Sequence, residues 1–141
     1  MTTHVRSASA DQSSVDQLSE QLAAAFRTGA VSAEVFTDDL FLDGHPPFWR
    51  FQLEGREGFA SWLPNVTPAD VSIVRTIPTA TGFVAEWTGG HEEDGAYLSD
   101  RKIVLATVRD GRVAELTVFC SGDWDEELRA RHAAETTLLR P

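Results

Sequence analysis

From residue 71 onward the chain alternates short β-branched or aromatic runs with turn signals, and this punctuation constrains its fold more than any other feature. Val71-Ser72-Ile73-Val74-Arg75-Thr76-Ile77 reads as a strand, and Thr79-Ala80-Thr81-Gly82 as a turn. Phe83 to Thr88 is a second strand ending at Gly89-Gly90, and His91 to Gly95 is a polar loop. Tyr97 to Val108 is a long strand, Asp110-Gly111 a hairpin turn, and Val113 to Cys120 the last strand.

The first half is helical. Ser14-Val15-Asp16-Gln17 fits a capping box, and Val15, Leu18, Leu22, Ala25 and Phe26 then lie on one helical face until Gly29 stops it. Met1 to Ser13 is small and polar and reads as a flexible tail, leaving residues 14–141 as one domain. A short helix is expected from Ser32 to Phe36, broken by Asp38-Asp39, then a strand from Leu40 to Gly44. His45-Pro46-Pro47 interrupts that strand, because proline cannot donate to a ladder. Phe48 to Leu53 is extended, and Gly55 to Leu63 is helical, with Phe59, Trp62 and Leu63 on one face. Asp123 is placed to cap a closing helix whose acidic first turn and basic end suit the helix dipole. The order α-α-β-α-β-β-β-β-α indicates an α+β fold with a mainly antiparallel sheet rather than a doubly wound one.

Composition narrows the function classes. Twelve Lys+Arg stand against 22 Asp+Glu, a net charge of −10, which argues against nucleic-acid binding and a polybasic membrane anchor. The single cysteine excludes an internal disulfide framework. No apolar run is long enough for a transmembrane helix, and no secretory signal opens the sequence, so a cytoplasmic location is expected. No phosphate-cradling glycine loop appears.

Three stretches resemble the nuclear transport factor 2-like superfamily, in particular its SnoaL-like and ketosteroid-isomerase-related members. They are Phe36-Thr37-Asp38-Asp39-Leu40-Phe41-Leu42-Asp43, Leu53-Glu54-Gly55-Arg56-Glu57-Gly58-Phe59 and Val108-Arg109-Asp110-Gly111-Arg112-Val113-Ala114-Glu115. The resemblance covers about residues 14–122, with the C-terminal helix as an extra element. It implies a cone: a strongly curved sheet wrapped around the N-terminal helices, with an apolar interior for a small molecule. It also implies a homodimer through the outer sheet face. The functions it brings range from isomerases, epoxide hydrolases, cyclases and dehydratases to non-catalytic modules.

At the position where the isomerases and epoxide hydrolases tend to carry a catalytic polar group, this chain has Gly44. Where cyclases and epoxide hydrolases carry a second acid, it has Ser121. The proton-moving candidates are therefore Asp100 and His91, assisted by His45 or Asp43. Strand alternation places Asp43 opposite Gly44, so Asp43 reaches the interior only if a bulge re-aims it. The alternative for Asp100 is an outside pair with Arg101 or Lys102, and for His91 a solvated hairpin loop. Trp49, Arg50, Trp62, Trp87, Tyr97, Phe119 and Ser121 are the candidate ligand-binding residues, with Arg50 as a clamp for an anionic group. Cys120 reads as a small buried apolar residue.

No metal and no cofactor are expected, because no spacing matches a metal-binding motif. The partner expected is a small apolar or aromatic molecule, with no nucleic acid and no membrane. The functional expectation is a SnoaL-like enzyme doing proton-transfer chemistry (cyclisation, isomerisation or dehydration) on an apolar, polyketide-like ligand. The alternative is a non-catalytic ligand-binding or dimerisation module.

Overall fold

A computed structural model describes the backbone of residues 3–66 and 69–141, with side chains from residue 12 onward; the first two residues of the expected tail lie outside it. Helix α1 spans Thr3–Thr28. It therefore begins upstream of Ser14, and the capping-box residues lie inside it: that signature is local, and an interior stretch of helix can also carry it. The C-terminal stop is as read. Gly29 takes φ +78°, and its N–H donates to Ala25 O at 2.7 Å.

The helix expected at Ser32–Phe36 is a single turn, with Phe36 N–H donating to Ser32 O at 3.0 Å. Strand pairing wins over helix here. Val35 and Phe36 are buried, and Val35 O already accepts from Val113 N–H at 2.7 Å. Strand β1 then runs Phe36–His45, through Asp38-Asp39 rather than after them. Both acids point outward and are neutralised, Asp38 by Arg56 and Asp39 by Arg109.

β2 (Phe51–Glu54) leads into α2 (Gly55–Trp62), followed by a 3-10 turn over Leu63–Asn65. Then come β3 (Ala69–Pro78), β4 (Gly82–Glu93), β5 (Ala96–Arg109), β6 (Arg112–Cys120) and α3 (Glu126–Glu135). The sheet order is β2-β1-β6-β5-β4-β3, antiparallel except for the β1–β6 pair. The result is an α+β fold of three helices and a six-stranded sheet.

Two hairpins close on the same chemistry. Asp94-Gly95 and Asp110-Gly111 both take positive φ at both residues, the conformation that two-residue hairpins need. The first of these moves the loop expected at His91–Gly95 out to its last two residues, so His91 and Glu93 belong to β4. At the other end Asp125, not Asp123, caps α3: its Oδ1 accepts from Leu128 N–H at 2.8 Å. Asp123 is free of that role.

The sheet curves over α1 and α2 with register breaks in β1, β3 and β6. Arg27 ties α1 to β3 by donating to Val71 O from Nε (3.1 Å) and Nη2 (2.7 Å). Between the helices and the sheet lies an aromatic core. Phe26 meets Phe59 and Trp87 edge-on at 5.8 and 5.0 Å, and Phe59 meets Phe36 at 5.3 Å. Among the described residues no helix is long and apolar enough to cross a membrane.

Candidate functional site

The inner face of the sheet follows from alternation. Leu40, Leu42 and Gly44 of β1 point inward, as do Leu116, Val118 and Cys120 of β6, and Val104, Lys102 and Asp100 of β5. Toward the Gly44 end the core opens into a cavity of about 260 Å³. Part of the lining is apolar, from Phe26, Phe51, Trp62, Val71 and Val118. Another part is polar, from His91, Glu93, Asp100, Lys102, Cys120 and Asp123.

Asp100 is the most enclosed charge in this cavity. Its side chain is 7% exposed, that of Lys102 16%, and Lys102 Nζ donates to Asp100 Oδ2 at 2.6 Å. Asp100 does pair with Lys102, but inside the cavity rather than outside: residues i and i+2 of a strand share a face. The Oδ1 atom has no hydrogen-bond partner among the described residues. His91 also faces the cavity, with Nε2 3.7 Å from Glu93 Oε2. Asp123 joins the two halves: His91, Glu93 and Asp123 bring their ligand atoms within 4.8 Å of one another, and so do Asp100, Cys120 and Asp123. Either trio has donor atoms close enough to hold a metal ion, although Lys102 already supplies the cation at Asp100. Burial pushes the Cys120 thiol above its ordinary pKa, which keeps it protonated and a poor nucleophile.

Gly44 sits where a catalytic polar group is expected, and the structure shows what replaced it. A Cβ on Gly44 would lie 2.4 Å from the Phe51 ring. The absence of a side chain leaves room for the end of the Phe51 ring over β1, where it meets Trp62 at 5.3 Å. Ser121 is also turned away. Its Oγ accepts from Arg101 N–H at 3.0 Å and lines a neighbouring cleft. Asp123, two residues further on, reaches the cavity instead.

Asp43 stays on the outer face, so the bulge that would re-aim it is not there. Arg50 grips it twice, through Nε to Oδ1 and Nη2 to Oδ2, both at 2.9 Å. This pairing holds the Asp43 carboxyl down at about 2, with His45 adding to it at 3.2 Å. Arg50 is thereby paired with Asp43 on the outer face and does not line the cavity. His45 borders the cavity, but its ring stacks on outward-facing Phe119 at 4.5 Å. Trp49 is 74% exposed at the tip of the Pro46-Pro47 turn and does not line the cavity. Trp87 is fully buried in the core beneath Phe26 and does not line the cavity. Tyr97 lies outside, its hydroxyl 3.3 Å from Asp70 Oδ2 and Arg129 over its ring.

Of the expected residues, the cavity thus gathers Asp100, His91 and Trp62, with His45 at its border. It adds Lys102, Asp123, Glu93 and Phe51, which sequence reasoning did not select. Lys102 was open to detection from its spacing to Asp100, and Glu93 from its spacing to His91. Asp123 was hidden because a helix cap explained it equally well.

The sequence matches no family model, and no curated protein matches it. Solved structures do match the fold. An NTF2-like protein of unknown function from Mesorhizobium loti superposes with a TM-score of 0.59 at 13% identity, covering 79% of this chain and 93% of that one. SalBIII, an epoxide hydrolase/cyclase-like enzyme in pyran ring formation in polyether salinomycin, gives 0.65 at 15% identity, over 81% and 98%. An LEH-like epoxide hydrolase from M. tuberculosis gives 0.63 at 16% identity, over 78% and 84%. Together with the curved sheet around α1 and α2, these matches show that the chain has the nuclear transport factor 2-like fold.

Proposed function

We propose that the protein is a small-molecule enzyme that moves a proton on an apolar, flat ligand held in the cavity, with Asp100 as the proton-transfer group. The observation that carries this reading is the Asp100–Lys102 pair. A nearly buried carboxylate has one oxygen fixed by an ammonium and the other free, in a cavity walled by Phe51 and Trp62. Lys102 orients Asp100, so Oδ1 is presented to a bound ligand in one geometry. His91 is the second group available to accept or return a proton.

Cyclisation, isomerisation and dehydration all need such a transfer, and the epoxide hydrolase/cyclase-like neighbours make this class of chemistry the natural one to test. Pairing with a second copy is proposed through the outer sheet face, where Phe119, Ile103 and Leu105 stand 40–45% exposed.

The test uses 5-nitrobenzisoxazole, a flat aromatic whose ring opens when a base removes its C3 proton. The protein should accelerate ring opening, and Asp100→Asn should lower the rate about 100-fold, within the range general-base catalysis contributes. Equal rates for the two proteins contradict the reading. They favour a binding module without turnover, which Phe51 over Gly44 and the engaged Ser121 would then explain.

A further inference from the structure

We propose that the ligand of this cavity carries a positive charge: an aromatic or alicyclic amine whose ammonium sits at Asp123 and Glu93 and whose apolar body lies against Phe51 and Trp62. This rests on the reading that the cavity is where a ligand binds, and adds the chemical class of that ligand.

The cavity is lined by three carboxylates, Glu93, Asp100 and Asp123, against the ammonium of Lys102 and the imidazole of His91 beside Glu93. That ammonium is committed, since Nζ lies 2.6 Å from Asp100 Oδ2. The other nearby cations are spent outside. Arg50 is held by Asp43, Arg101 by Glu86, and Arg129 donates to the Tyr97 and Trp124 carbonyls. An anionic ligand therefore meets the carboxylates of Glu93 and Asp123, which no lysine or arginine among the described residues neutralises, a like-charge arrangement that a binding site penalises.

Geometry completes the argument. Asp123 lies within 4.8 Å of both the His91–Glu93 pair and Asp100. Two oxygens at that separation can both accept from one ammonium placed between them, each at ordinary hydrogen-bond length. The nearly buried Asp100 lies beside them, with its Oδ1 unpartnered among the described residues and left for the proton transfer. The rest of the lining is largely aromatic and apolar, with Phe26 edge-on to Trp62 at 6.0 Å. A ligand that satisfies both parts of the lining is amphiphilic, with its charge at one end.

The experiment is isothermal titration of the full chain with three matched probes: 2-(1-naphthyl)ethylamine, 2-(1-naphthyl)ethanol and 1-naphthylacetate. The amine should bind about tenfold or more tightly than the alcohol, as expected for charge-assisted hydrogen bonds, and the carboxylate most weakly of the three. In Asp123→Asn and in Glu93→Gln, both at exposed side chains, the amine's advantage should shrink while the alcohol's affinity stays within about twofold.

If the alcohol and the acid bind as well as the amine, the charge preference is overturned and the cavity reading survives. If none of the three binds, both fall. A fourth titration with Mn²⁺ alone separates a metal site from an amine site. Mn²⁺ binding that Asp123→Asn abolishes, with no preference for the amine, overturns the proposal.

Discussion

The two ends of the sheet's inner face are built by the same strands and do opposite things. At one end β1 contributes Leu40 and Leu42, β4 Phe83 and Trp87, β5 Val104 and Ala106, and β6 Leu116, all buried against Phe26 and Phe59. A few residues along, β1 carries Gly44, β4 His91 and Glu93, β5 Lys102 and Asp100, and β6 Cys120. Alternation is unbroken across the change, and only the chemistry of the inward positions switches. A continuous apolar stripe would have made a larger core and no site. Where the inward positions turn polar while their neighbours stay buried, the fold gives up apolar packing for an open cavity with polar lining.

The largest expected effect is at the packed end. Phe59→Ala should cost about 3–5 kcal/mol of unfolding free energy, because it removes a ring that touches Phe26, Phe36 and Trp62 and leaves a cavity. Urea unfolding followed by tryptophan fluorescence measures it. A loss under 1 kcal/mol would mean that this end is as loosely filled as the other.

Next comes the enclosed ion pair. Lys102→Met should cost about 1–3 kcal/mol by stranding the Asp100 carboxylate. Adding Asp100→Asn to it should recover part of that loss in the same urea assay. If the double variant is no better than the single, the two groups are not coupled.

At Gly44, substitution by Val should displace Phe51, whose ring occupies the space a Cβ would need. The expected cost is about 1–3 kcal/mol, together with weaker binding of a flat aromatic probe. Unchanged binding would show that Phe51 is not a wall of the site.

The smallest effect belongs to the outer pair. The Asp43 carboxyl is held at about 2 in the folded chain, below the ordinary 3.8. Its depressed value means that the stability it contributes is present above pH 3.8 and is lost as pH falls toward 2. Asp43→Asn should therefore differ from the parent protein in Tm at pH 6 and converge with it by pH 2. A difference that persists at pH 2 would assign the effect to packing against His45 instead.

Much of this fold is legible in the sequence because its signals are local. Gly29 ends α1, Asp110-Gly111 turns the last hairpin, and the β-branched runs make strands. The helix expected at Ser32–Phe36 failed because a strand partner at Val113, remote in sequence, captured Val35. Asp94-Gly95 is the same turn as Asp110-Gly111, but the acidic run before it looked like loop, which hid His91 and Glu93 in β4. The site was harder to read. Which cation Asp100 meets, and on which face, depends on the β5 register, which sequence leaves uncertain by a residue. That Phe51 covers Gly44 depends on β2 folding back on β1, with Gly44 paired to Phe51, and no local signal encodes that contact.

If the proposed function is right, proton transfer belongs to the polar end of the inner face and not to the outer face. The decisive measurement is ring opening of 5-nitrobenzisoxazole, followed side by side in Asp100→Asn and Asp43→Asn. The expected loss is about 100-fold for Asp100→Asn and less than twofold for Asp43→Asn. Equal losses in the two variants, or a larger loss for Asp43→Asn, would contradict it.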